Sequence, residues 1–154
     1  MAAKWNLEGA RVEAFNSDGL PTELSGKVDR VLIFREMHNL QRNGIAAPEL
    51  ATVRRLLKPD GLLGIVQHRA RAGAADDYVT GAKGYLRQAD VIALIEAQGF
   101  ELAGTSEINA NPQDTADHPA GVWELPPSLA TKREELKAIG ESDRMTLLFR
   151  KRGA

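Results

Sequence analysis

Residues 28–40, VDRVLIFREMHNL, and residues 56–68, LLKPDGLLGIVQH, decide the fold of this chain. The first stretch contains the unbroken run Val31-Leu32-Ile33-Phe34. A near-continuous apolar run with β-branched residues predicts a strand buried on both faces, as in a parallel sheet. Asp29 stands at its entrance, and residues 35–39 lie just past its carboxyl end. Pro48 suits the first turn of a following helix, where its missing N–H costs nothing. Leu50, Val53, Leu56 and Leu57 then share one helical face. Residues 58–61, KPDG, predict a tight turn that ends this helix. Residues 62–66 give a second buried strand, with Gln67 and His68 at its carboxyl end.

Upstream, residues 11–15 alternate polar and apolar, a short-strand pattern, and residues 16–19, NSDG, form a turn cluster. Downstream, residues 69–84 are rich in Ala, Gly and Asp without a period and read as a mobile loop. Residues 89–98 predict a helix with Val91, Ile92, Leu94 and Ile95 inward. Gly99 is its left-handed cap and Phe100 the apolar contact beyond it. Residues 100–108 begin a third strand of the main sheet, residues 109–129 are irregular, and residues 131–139 predict a short polar helix. Residues 145–150, MTLLFR, are the last strand. Strands alternating with helices imply an α/β fold with a mostly parallel sheet and right-handed crossovers. No substantial crossover helix separates the last two strands, which leaves them free to pair antiparallel.

A length of 154 residues suits one domain, 1–154, with one core. A net charge of -1 and a pI of about 6.3 give no electrostatic reason to expect nucleic acid or a membrane surface as a partner. The basic tail at residues 150–152 reads as a solvated end. There are no cysteines, so disulfides and Cys-ligated zinc are excluded, in keeping with a reducing cytoplasm. No apolar run approaches the ~20 residues of a membrane span. The first 15 residues carry Glu8 and Glu13 and no signal-peptide core. The expected setting is cytoplasmic.

Several segments together resemble class I S-adenosylmethionine-dependent methyltransferases. VDRVLIF resembles the fourth strand of that family with its leading aspartate. LLKPDGLLGIV resembles its Leu-Lys-Pro-Gly-Gly turn and fifth strand, with Asp60 where a glycine is usual. EAQGFEL (96–102) resembles its last helix and sixth strand. GESDRMTLLFRK (140–151) resembles the seventh strand of a bacterial group of predicted methyltransferases. SEINANPQDTADHPAGVWELPPSL (106–129) has close counterparts in the same group.

The resemblance covers residues from about 11 to 152 and implies the carboxyl-terminal part of such a fold, a partial Rossmann-like sheet. The family's Gly-x-Gly-x-Gly turn, which brings backbone N–H groups to the cofactor, does not occur in this sequence. The resemblance therefore implies half of an S-adenosylmethionine site. Asn16 and Asp18 would fall near the adenine edge, and Arg35 and Glu36 under the methionine part. It also implies an open edge on strand 28–34, an association hazard. Strand 11–15, a second copy of the chain or a separate partner chain would cover it.

The candidate chemistry lies past the carboxyl ends of the central strands, where sites in open α/β sheets form. His38 is the candidate general base for methylation of a small molecule, or else begins a loop and bonds to backbone. His68 is the second catalytic candidate, or else a polar residue closing its strand. Asn39, Asn109, Asn111, Asp114, His118 and Trp123 are substrate-binding candidates. The last five lie in a long loop of the kind that often carries function, where Trp123 either closes a pocket or plugs the sheet. His38, His68 and His118 have no metal-ligand spacing, so no metal is expected. Tyr78 and Tyr85 are either substrate contacts or packing. A non-catalytic methyltransferase remnant acting as a binding module is the alternative to a methyltransferase. An unrelated hydrolytic or metal-dependent enzyme is a third reading.

Overall fold

The computed structural model describes residues 14–153. Strand β1 (Val28–Phe34) is followed by a short helix, α1 (Met37–Arg42), and by α2 (Ala46–Leu56), which runs directly into β2 (Leu57–His68). Helix α3 (Gln88–Ala97), β3 (Phe100–Ser106) and β4 (Arg144–Lys151) complete the frame. The strands lie in the order β1-β2-β4-β3. β1 and β2 are parallel, Val31 opposite Leu63 and Ile33 opposite Ile65. α1 and α2 supply the crossover that parallel pairing requires. β4 lies between β2 and β3, antiparallel to both. This is the expected α/β architecture, with a parallel start and an antiparallel carboxyl-terminal strand.

Strand alternation turns Leu63, Ile65, Leu147 and Phe149 into the core, where they meet Leu50 and Val53 of α2 and Val91 and Ile95 of α3. Full burial of such a side chain contributes roughly 1.5–3 kcal/mol. Gly99, at φ +82°, ends α3 and hands the chain to Phe100, which is fully buried.

The structure corrects several local expectations. β1 is not buried on both faces: Leu32 is 61% and Phe34 57% exposed. The core helices pack against one face, so the alternate residues of each strand point away from them, and exposed Leu148 of β4 extends the uncovered apolar surface. No strand forms at Ala14 and Phe15, and residues 11–13 lie outside the described residues. The chain instead enters a 3-10 turn, Ser17–Gly19, and the Ser17 hydroxyl donates to Glu49 Oε1 of α2 at 2.6 Å. That bond ties the segment to a helix, and among the described residues β1 remains an edge strand.

The KPDG segment is a bulge inside β2. Val28 faces Leu57 but Arg30 faces Leu62, and Lys58 in the bulge pairs with Asp29 at 2.6 Å. β3 ends at Ser106, and the polar helix near 131–139 is a 3-10 segment, Glu134–Ile139. Residues 69–84 are anchored rather than free. Ala70, Val79 and Tyr85 form a second apolar cluster with Ala116 and Val122. Arg87 binds the Ala74 carbonyl and pairs with Asp76.

Candidate active site

β1 and β2 end, and antiparallel β4 begins, on the same side of the sheet. Three segments therefore converge there, and the register places His68 directly opposite Arg144. Arg35 has φ 55°, a left-handed conformation that costs a non-glycine residue roughly 1–2 kcal/mol. Its N–H donates to the Val66 carbonyl at 2.7 Å, which pins the turn. Such strain is concentrated at functional sites. Here it folds α1, and with it His38, over the end of the sheet.

On the far side Gly121, at φ +77°, approaches the Lys83 carbonyl so closely that a Cβ would collide with it. This approach seats Val122 and Trp123 as a wall. The open cavity bordered by these segments is about 540 Å³, within the range of small-molecule sites.

Two histidines face this cavity, ring centroids 5.8 Å apart, 5% and 8% exposed. Their hydrogen bonds give them opposite polarity. Gln67 Nε2 donates to the Gly84 carbonyl at 2.7 Å, so its Oε1 is the atom facing His38 Nδ1 at 3.4 Å. An oxygen there requires N–H on His38 Nδ1, which leaves the Nε2 lone pair as an acceptor. His68 Nδ1 lies 2.6 Å from the buried Ser142 hydroxyl. Ser142 Oγ has no other partner among the described residues, and donation of its O–H to Nδ1 is the assignment that satisfies both groups within the protein. His68 Nε2 then carries the proton and is a donor.

Burial lowers the pKa of His38 from its ordinary 6.5, opposed by Gln67 and Glu36. Burial first, then His38, Arg144 and Arg35, push His68 down to about 3. Near neutral pH both rings are uncharged.

Of the residues singled out in the sequence, Arg35, Glu36, His38, Asn39, His68 and Trp123 line the cavity. Trp123 stands edge-on to His38 at 6.0 Å. Asn39 bridges Glu36 and Arg42 through its amide. The other candidates do not line it. Asn109 donates to Thr146 Oγ1, and Asn111 donates to the Ile139 and Glu141 carbonyls. Asp114 accepts from the Tyr85 hydroxyl and from the N–H groups of Ala116 and Asp143, and lies 2.9 Å from His118 Nε2. These four hold the long loop together. Tyr78 stacks on Tyr85 and donates to the His118 carbonyl. Asn16 and Asp18 are exposed and outside the cavity.

Gln67, against His38, and Ser142 and Arg144, which line the cavity, were not among the site candidates read from the sequence. Gln67 carried a signal, a polar residue beside His68 at the end of an apolar strand. Among the described residues no group of three His, Asp or Glu side chains is placed to hold a metal ion.

No protein-family model matches the chain, and no curated protein gives a significant match. Solved structures match in fold. The [4+2]-cyclase SpnF is similar at TM-score 0.60 and 15% identity, over 92% of this chain and 56% of that one. The 1,6-didemethyltoxoflavin-N1-methyltransferase of Burkholderia thailandensis, solved with 1,6-didemethyltoxoflavin and S-adenosylhomocysteine, is similar at TM-score 0.58 and 15% identity, over 99% and 55%. The mitomycin 7-O-methyltransferase MmcR gives TM-score 0.51 and 13% identity, over 88% and 32%. The chain thus has a class I methyltransferase-type fold and spans about half the length of the first two structures or less of the third. Because that fold serves a cyclase as well as methyltransferases, the reaction has to be argued from the cavity.

Proposed function

We propose that this protein forms the substrate side of an S-adenosylmethionine-dependent methyltransferase that acts on a small molecule in the cytoplasm, with His38 as general base. The observation that carries this reading is His38 itself. It is a neutral histidine whose Nε2 lone pair has no partner among the described residues, on the wall of a 540 Å³ cavity at the carboxyl end of β1.

The residues present fit one side of the cofactor. Arg35 and Glu36, one of each charge at the cavity, suit the carboxylate and ammonium of its methionine end. Asn16 and Asp18 are exposed, as contacts at the adenine edge would be. The remaining contacts would come from a second copy, a partner chain or a further stretch of the same gene. S-adenosylmethionine supplies an electrophilic methyl group on a sulfonium centre. This chain orients the acceptor, and His38 Nε2 takes the acceptor's proton while Nδ1–H stays on Gln67. Trp123 and Leu125 keep water from the reacting atoms.

Isothermal titration with S-adenosylhomocysteine tests the cofactor assignment. Micromolar binding is expected, and no heat in any assembly state of the protein overturns it. His38→Ala is expected to lower methyl transfer by roughly 10²–10⁴-fold with folding retained, and an unchanged rate removes His38 from the mechanism. A binding module without catalysis is the second reading, since the cavity and its polar lining would serve binding alone equally well. It predicts ligand binding in the cavity and none of S-adenosylhomocysteine.

A further inference from the structure

The cavity has a chemical polarity that methyl transfer alone does not require. His38 offers an acceptor, and beside it two donors stand on the register-paired residues His68 and Arg144. His68 presents Nε2–H, and Arg144 Nε is buried with no hydrogen-bond partner among the described residues. The buried Nε is not itself reached from the cavity, so an anion would meet the part of the Arg144 side chain that stays 18% accessible on the cavity lining. Arg144 is not free of protein contacts, since its Nη1 pairs with Glu141, which is half exposed.

The lining carries Arg35, Arg42 and Arg144 against Glu36 and Glu141, an excess of one positive charge with both histidines neutral. An anion is therefore favoured, and the guanidinium matches a carboxylate best. The lining also carries the apolar side chains of Phe34, Val122, Trp123, Leu125, Pro126 and Pro127. Trp123 and the exposed Phe34 ring suit an aromatic ligand.

We propose that the cavity binds an aromatic hydroxy acid, its carboxylate held by Arg144 and His68, its ring against Trp123 and its hydroxyl at His38. This names the acceptor class for the proposed methyl transfer and rests on that reading only in making the hydroxyl the methylated group. Binding of the acid itself needs no cofactor.

The test is titration of the protein, without S-adenosylmethionine, with 2-, 3- and 4-hydroxybenzoate and with the corresponding hydroxybenzamides. At least one acid is expected to bind, its amide at least tenfold more weakly. Arg144→Gln should weaken the acid at least tenfold and leave the amide unchanged. Glu141→Gln, which releases Arg144 from its ion pair, should tighten the acid, and it keeps the test decisive if Arg144→Gln fails to fold. Equal affinity for acid and amide, no binding of any acid, or an acid affinity untouched by both substitutions overturns the proposal. Binding of S-adenosylhomocysteine with no acid bound would overturn this inference alone. Acid binding with no S-adenosylhomocysteine bound would overturn the methyltransferase reading alone.

Discussion

His68 shows how one residue carries both a site and a pH dependence. Its Nδ1 accepts from Ser142, and burial together with His38, Arg144 and Arg35 lowers its pKa from 6.5 to about 3. The folded-state value is depressed, so the folded protein holds the ring neutral where the unfolded chain protonates it. Above pH 6.5 both states are neutral and nothing is lost. As pH falls from 6.5 toward 3, stability declines by about 1.4 kcal/mol per pH unit from this residue. His38, whose pKa burial also lowers, adds to the same slope. His68→Asn keeps an acceptor for Ser142 but does not titrate. Urea unfolding between about pH 7 and pH 5 should therefore give a shallower profile for this variant, while parallel profiles would mean that His68 charges freely in the folded state. The same substitution removes one donor from the carboxylate site, so its effect on acid binding and its effect on stability read two properties of one ring.

Among the elements, the long loop owes its shape to a single carboxylate. The Asp114 side chain is fully buried and accepts from Tyr85, Ala116 N–H and Asp143 N–H at 2.8–2.9 Å. It joins the loop to the second apolar cluster and to the segment that presents Ser142 and Arg144. Asp114→Ala would orphan these donors, and a loss of roughly 3–5 kcal/mol is expected in chemical denaturation. Asp114→Asn, which restores some acceptors, should fall between, and a loss below about 1 kcal/mol for the alanine variant would show that the loop holds without the cluster.

Beyond the local turn bonds that Asn111 and Asp114 make to residues two places on, little of this was legible in the sequence, because the other bonds span residues far apart. The strands and helices were legible where periodicity speaks: Val31 to Phe34, Leu62 to Val66, and Val91 to Ile95. The KPDG bulge was not, since Leu56 and Leu57 are apolar on either side of the helix–strand junction. The histidines were placed correctly at strand ends, but their tautomers required Gln67 and Ser142.

For the whole molecule, the unresolved matter in the sequence was coverage. An apolar run such as Val31-Leu32-Ile33-Phe34 looks the same whether one or both faces of its strand are packed. In the structure one face carries α2 and α3, and the other leaves Leu32 61%, Phe34 57% and Leu148 40% exposed, beside the open edge of β1. Contiguous apolar surface of this kind marks an association site, and an unpaired strand edge adds backbone donors and acceptors to it. A net charge of -1 supplies little repulsion to oppose contact.

The purified chain is therefore expected to self-associate with concentration in sedimentation velocity. Leu32→Glu combined with Leu148→Glu should shift it toward monomer. Leu32 is 61% exposed, so its substitution should change folding stability by no more than about 0.5 kcal/mol, and Leu148, at 40%, should cost about 1 kcal/mol. That separation of effects makes the experiment informative, because a variant that unfolds would lose association for a trivial reason. A wild-type sedimentation coefficient independent of concentration, and equal to that of the variant, would mean that this face does not drive assembly. If the face instead receives a different chain, the same double variant should lower recovery of that partner while leaving acid binding at Arg144 unchanged, because neither leucine is among the donors and acceptors of the cavity.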